Sequence, residues 1–164
     1  MSEGDFMKMQ NFFKVILTLM LFPLFLMAHG DKEYKKGVKT KISEEKISFL
    51  KEEYEKKIKP IFKRACFDCH SRYTVYPWYY KIPIVKQLID HDIEEAREHL
   101  DMSEGFPFKS HEEASLVDIM EEIAEVIEEG EMPLFRYVIL HKEARLTDKE
   151  KQLIIQWAKS ALSR

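Results

Sequence analysis

Apolar residues recur at steps of three and four along most of the chain beyond residue 43, and that period predicts helices. Ser43 is placed to cap the first of them, with Glu44 and Glu45 in an opening turn that the helix dipole favours. Ile47, Leu50, Tyr54, Ile58, Ile61 and Ala65 then form one stripe, and Pro60 is expected to kink the helix or start a new turn. A second periodic segment runs over about 84–100, through Val85, Leu88, Ile89, Ile93, Ala96 and Leu100. A third covers about 112–129, with Leu116, Ile119, Ile123, Val126 and Ile127 inward and Gly130 where a helix-ending glycine belongs. The last starts at Thr147, whose Thr-Asp-Lys-Glu run is a capping box, and sets Leu153, Ile154, Trp157 and Ala161 on one face. No stretch alternates with period two and no internal repeat is visible. The pattern predicts an all-α domain.

The first thirty residues follow another pattern. Lys8 and Lys14 precede Val15–Ala28, fourteen uncharged residues interrupted by Pro23. A basic start, a short apolar run and small residues at Ala28 and Gly30 read as a secretory signal with an A-x-G cleavage site. Glu3 and Asp5 are unusual in such a start and make Met7 or Met9 alternative first residues. The run is shorter than the ~20 residues a membrane span needs, so an uncleaved anchor is the second reading. The chain accordingly divides into a signal peptide or anchor at 1–30, a polar linker at 31–42 and a helical domain at 43–164.

Composition narrows the function. Among 164 residues there are only five glycines, few for a turn-rich all-β fold or a nucleotide-binding α/β fold. The 26 Lys+Arg and 29 Asp+Glu give a net charge of −3, which argues against a nucleic-acid partner. Nine carboxylates crowd residues 112–131, but their spacing puts most of them opposite the apolar stripe, on a solvated face. Two cysteines cannot build a multi-disulfide scaffold, so their context decides what they do.

Both lie in one pentapeptide, Cys66-Phe67-Asp68-Cys69-His70, at the end of the first long helix. Two thiols with two residues between them on a helical turn match the separation of the two vinyl groups of a haem, to which each can add as a thioether. The adjacent His70 then offers its imidazole to the iron. Three other uses compete. A redox C-x-x-C expects a βαβ context, a zinc site needs a fourth ligand, and a disulfide across two residues is strained. The helical surroundings and an exported chain favour one covalently attached haem c, because c-type haem is attached on the far side of the bacterial membrane.

For the other side of the iron, Met132 stands in Gly130-Glu131-Met132-Pro133, a loop 62 residues after His70, where Pro133 stops the preceding helix. A methionine opposite histidine is the cytochrome c arrangement. Met120 lies beside the apolar stripe and reads as core filler, and Met102 lies in a loop without a comparable constraint. His91, His99, His111 and His141 are the histidine alternatives, and an open or water-bound iron is the third possibility. After the haem motif, five aromatics in the eight residues Tyr73–Tyr80 suit either the wall of a flat cofactor, with Arg72, Tyr or Trp donors near its propionates, or a loop closing an ordinary core.

These residues resemble the c-type haem-binding domain family of exported bacterial proteins. The likeness runs from C-x-x-C-H-S through Tyr76-Pro77-Trp78-Tyr79, then through the segment His91–Leu100. It closes with Gly130-Glu131-Met132-Pro133, Tyr137, Leu140-His141, Ala144-Arg145-Leu146 and Trp157, so that it spans about residues 60–160. Two positions depart from the family pattern: Ala96, where a glycine before the arginine is common, and 102–106, which lacks a tryptophan soon after the serine. The resemblance implies a small cytochrome c-like helical domain wrapped around one haem, attached through Cys66 and Cys69 and ligated by His70.

The expected function is periplasmic electron transfer through a His/Met-ligated haem, with a redox partner protein that the sequence does not identify and no membrane contact beyond a retained anchor. A peroxidase-like oxidoreductase would need an open or displaceable sixth site and an acid-base group such as His91, His99 or His141. A haem-based sensor of gas or redox state would displace Met132 on ligand binding.

Overall fold

The computed structural model describes residues 42–110 and 114–163. Ser43 accepts the Lys46 N–H and opens α1 (Glu44–Glu53) as its cap. Between α1 and α2 (Lys59–Ala65) lies a π-helical turn, Tyr54–Ile58. Pro60, the second residue of α2, has no N–H to donate, and the ladder changes register just before it. The wider turn has a consequence for packing. Leu50, Tyr54, Ile58 and Phe62 are spaced by four, a step that drifts around a 3.6-residue helix, yet all four are fully buried.

α3 (Phe67–His70) is a single turn set off from α2 at Cys66, whose φ of −126° leaves the helical region. Buried Ser71 ends it: its hydroxyl donates to the Phe67 carbonyl at 2.7 Å and accepts the Tyr73 N–H at 3.1 Å. A 3-10 turn (Trp78–Lys81) leads into α4 (Pro83–His99), which packs against α3. The following loop is pinned by an isolated antiparallel bridge between Asp101 and Lys109 and buries Met102, Phe106 and Phe108.

α5 (Leu116–Glu129) starts at a capping box formed by Ser115 and Asp118, not at the acidic residues before it, and ends at Gly130 in the left-handed region at φ 74°. α6 (Phe135–Leu140) and a 3-10 turn (Lys142–Ala144) follow. α7 (Asp148–Ser160) opens with the predicted Thr147–Glu150 capping box and packs along α5. Apart from the one bridge, the described residues hold no β-structure. The fold is all-α.

Its core is aromatic. The Tyr54 ring lies 5.3 Å from Phe108, 5.8 Å from Trp157, 5.9 Å from Phe106 and 6.2 Å from Phe62. Trp157 Nε1–H donates to the Leu50 carbonyl at 3.0 Å, joining α7 to α1. The 84–100 segment is helical as its period predicts, yet α4 buries no residue: Ile84 is 80% exposed and Leu88 49%. Of its periodic residues Ala96 and Leu100 line a cavity, and Leu100 also packs against the core.

Candidate functional site

The C-x-x-C-H turn is built from its own backbone. Cys66 N–H donates to Phe62 O at 2.8 Å, and His70 N–H donates back to Cys66 O at 2.9 Å. Both cysteines are half-buried free thiols. Burial, with the neighbouring Cys69 adding to it, pushes the Cys66 thiol up to about 12; burial, then Asp92 and Asp68, pushes Cys69 up to about 11. His70 is held from outside the motif. Its Nδ1 lies 3.0 Å from the Leu100 carbonyl, while its own carbonyl accepts the Met102 N–H at 2.7 Å. A carbonyl only accepts, so this contact assigns the proton to Nδ1 and leaves the Nε2 lone pair for a metal. Burial lowers the pKa of the ring, with the backbone bonds at Leu100 and Ala96 opposing it.

Met132 reaches the same place from the far end of the chain. After Gly130, the Glu131 and Met132 N–H groups both donate to Val126 O, at 2.9 and 3.3 Å, folding the loop back over α5. Cys66, Cys69, His70 and Met132 all line one cavity of about 370 Å³. Its wall includes Phe62, Ala65, Leu100, Ile119 and Ile123, and its polar lining includes Asp92, Glu95, Glu131 and Arg136. Among the described residues, no three His, Cys, Asp or Glu side chains gather into a group that could hold a bare metal ion. The thiols of Cys66 and Cys69, the His70 imidazole and the Met132 thioether around a largely apolar hollow fit a flat, iron-bearing macrocycle instead.

Other sequence expectations need revision. Met102 is not an unconstrained loop residue: it is 3% exposed and lines the cavity as a second thioether. Met120 is core, as expected. Of the histidines, His99 lines the cavity, His91 is exposed beside Glu95, His141 is bonded to Tyr79, and His111 lies outside the described residues. The aromatic segment neither walls the cavity nor closes the core, for Tyr73, Tyr76 and Trp78 are 59%, 51% and 79% exposed. Arg72 pairs with Glu104 away from the cavity. Arg136 of α6 is the arginine at its wall, held by both oxygens of Asp92 at 2.7 and 3.2 Å.

Asp68, inside the motif, has a role that its spacing does not announce. Its carboxylate accepts the Tyr137 hydroxyl at 2.6 Å and the Val75 N–H at 3.0 Å, and its carbonyl accepts the Thr74 hydroxyl at 2.8 Å. It therefore joins the C-x-x-C-H turn to α6, which is 69 residues away. No local pattern announces that contact.

A model of the haem-binding domain family matches residues 26–160. The chain belongs to the haem-binding domain family. This haem-binding domain is also similar to the cytochrome c peroxidase Ccp of Escherichia coli (strain K12), at 30% identity over 100 residues. That alignment covers 57% of this chain and 20% of the peroxidase, so the domain spans about a fifth of that relative's length. No solved structure matches the chain. Membership makes this a haem protein. The cavity shared by Cys66, Cys69, His70 and Met132 is where its residues suit the group.

Proposed function

We propose that the domain carries one covalently bound haem c and transfers single electrons in the bacterial periplasm. The observation that carries this reading is that two thiols, an imidazole with Nδ1 committed to Leu100, and a thioether line a single apolar cavity. Cys66 and Cys69 would hold the macrocycle as thioethers, and His70 Nε2 and the Met132 sulfur would bind its iron. The bound haem supplies a reversible one-electron couple. Met132 is a soft donor that favours the reduced iron and raises the potential. The Leu100 carbonyl fixes the orientation of His70 and increases its basicity. With the group bound, the apolar part of the wall would limit its contact with water, and two filled ligand positions would leave little to rearrange when an electron moves. Val15–Ala28, read as an export signal, supports the periplasmic location.

The similarity to cytochrome c peroxidase favours one second reading, a peroxide-reducing role in which Met132 yields its place to substrate. Denaturing electrophoresis with haem staining, followed by visible spectra, tests both. Wild type is expected to retain haem and to show a methionine-to-iron band that Met132→Ala abolishes and Met102→Leu preserves. Haem that stays bound covalently after Cys66→Ser with Cys69→Ser would refute the attachment. A high-spin ferric spectrum with rapid peroxide turnover would replace the carrier with the peroxidase.

A further inference from the structure

We propose that Trp78, Tyr79, His141 and Tyr137 form a route that delivers electrons from the surface to the haem cavity when an oxidant acts there. The inference rests on the second reading above, the peroxide-reducing role in which Met132 yields its place to substrate. Tyr137 lines the cavity and stacks on the His141 ring, with centroids 4.3 Å apart and planes inclined by 11°. His141 Nε2 lies 2.6 Å from the Tyr79 hydroxyl. The Tyr79 ring meets Trp78 edge-on at 5.7 Å, and Trp78 is 79% exposed. Aromatic contact is thus continuous from cavity to solvent, across segments about sixty residues apart in sequence. The exposed indole adds little to the core, so packing does not account for its position.

The hydrogen bonds supply what oxidation of a phenol requires. A tyrosine yields an electron readily only if its hydroxyl proton has somewhere to go, and Tyr79 faces a ring nitrogen. Glu143 Oε1, 3.3 Å from His141 Nδ1, is placed to balance the imidazolium that results. Hydrogen peroxide is the oxidant we assign, since it takes up two electrons and two protons to become two waters. For each electron, Tyr79 is oxidised through the Tyr137–His141 stack. Its O–H bond breaks, and the proton forms an N–H bond at His141 Nε2, leaving a neutral phenoxyl radical. Trp78 then reduces that radical, the proton returns from His141 to the Tyr79 oxygen, and the indole releases its own N–H proton to water. A one-electron donor in solution and a proton from water restore Trp78. Trp78 takes back the proton it released, so over two cycles the donor supplies the two electrons and water the two protons that peroxide consumes.

The experiment uses the haem-loaded full chain, treated in its ferric state with one equivalent of hydrogen peroxide, freeze-quenched for electron paramagnetic resonance, and digested for mass spectrometry. Wild type is expected to give a protein-borne radical that ascorbate removes, and oxygen addition at Trp78. Trp78→Phe, a change on an exposed ring, shifts the radical to a tyrosine and loses that product. Tyr79→Phe keeps the ring but removes the mobile proton, and the Trp78 product is lost. Radicals and products unchanged in both variants, or oxidation confined to Met102 and Met132, overturn the route and leave the haem assignment standing. A ferric spectrum unmoved by peroxide overturns the route as well. A chain that carries no haem overturns the route and the function together.

Discussion

Among the described residues, the Tyr54 hydroxyl is buried without a hydrogen-bond partner, at the centre of the aromatic core. Burial pushes its pKa well above the ordinary tyrosine value. A buried hydroxyl that bonds to nothing costs stability compared with the ring alone. Tyr54→Phe is therefore expected to leave stability unchanged or raise it by up to about 1 kcal/mol. Trp157 presents the opposite case, because its indole N–H does have a partner in the Leu50 carbonyl. Trp157→Phe removes that bond, leaves the carbonyl without it and opens a space where the larger ring stood, for a loss of about 1–3 kcal/mol. Urea denaturation of the two variants checks both. A Tyr54→Phe loss as large as that of Trp157→Phe would mean that the hydroxyl has a partner after all.

Two helices are begun in the same way. Ser115 caps α5 and Thr147 caps α7, each in a reciprocal box with the acid three residues on. In the first box Asp118 bonds back to Ser115; in the second, Glu150 also receives Arg64 from α2. Arg64 bonds the carbonyls of Glu143 and Arg145 as well, so the start of α7 is tied to the end of α2 just before Cys66. Ser115→Ala is expected to cost about 1 kcal/mol, and Thr147→Ala at least as much, because freeing Glu150 loosens the Arg64 contact too. Equilibrium unfolding in denaturant measures the difference. The reverse order would show that Arg64 holds Glu150 without help from Thr147.

For the molecule as a whole, the same contact sets part of the response to acid. Burial works to raise the Glu150 pKa, but bonds from the Thr147 N–H and hydroxyl and from Arg64 outweigh it, and the carboxyl titrates below its ordinary value of 4.5. A depressed carboxyl stabilises the fold above its unfolded pKa and loses that contribution as pH falls through the folded one. The melting temperature of the haem-loaded protein is thus expected to fall as pH drops below about 4.5. Glu150→Gln is expected to start lower near neutral pH and to fall less steeply over that range. Parallel curves for the two proteins would remove Glu150 from the acid response.

Much of this organisation is local and was therefore legible in the chain. The helical period, the caps at Ser43 and Thr147, the stop at Gly130 and the one-turn spacing of Cys66, Cys69 and His70 each involve residues within four or five positions of one another. Backbone geometry alone nearly dictates their outcome. The short α6 escaped notice because six residues carry too little period to stand out. Other features depend on residues far apart in sequence. His70 meets Leu100 across 30 positions, Tyr137 meets Asp68 across 69, and Met102 enters the cavity through a bridged loop. The exposed aromatic segment followed the same rule, since its composition suited a wall or a core and only its neighbours sent it to the surface. Periodicity tells which face of an element is apolar, but not what that face will meet. The meeting is settled by the closing of long loops, which bring together groups that no spacing in the chain relates.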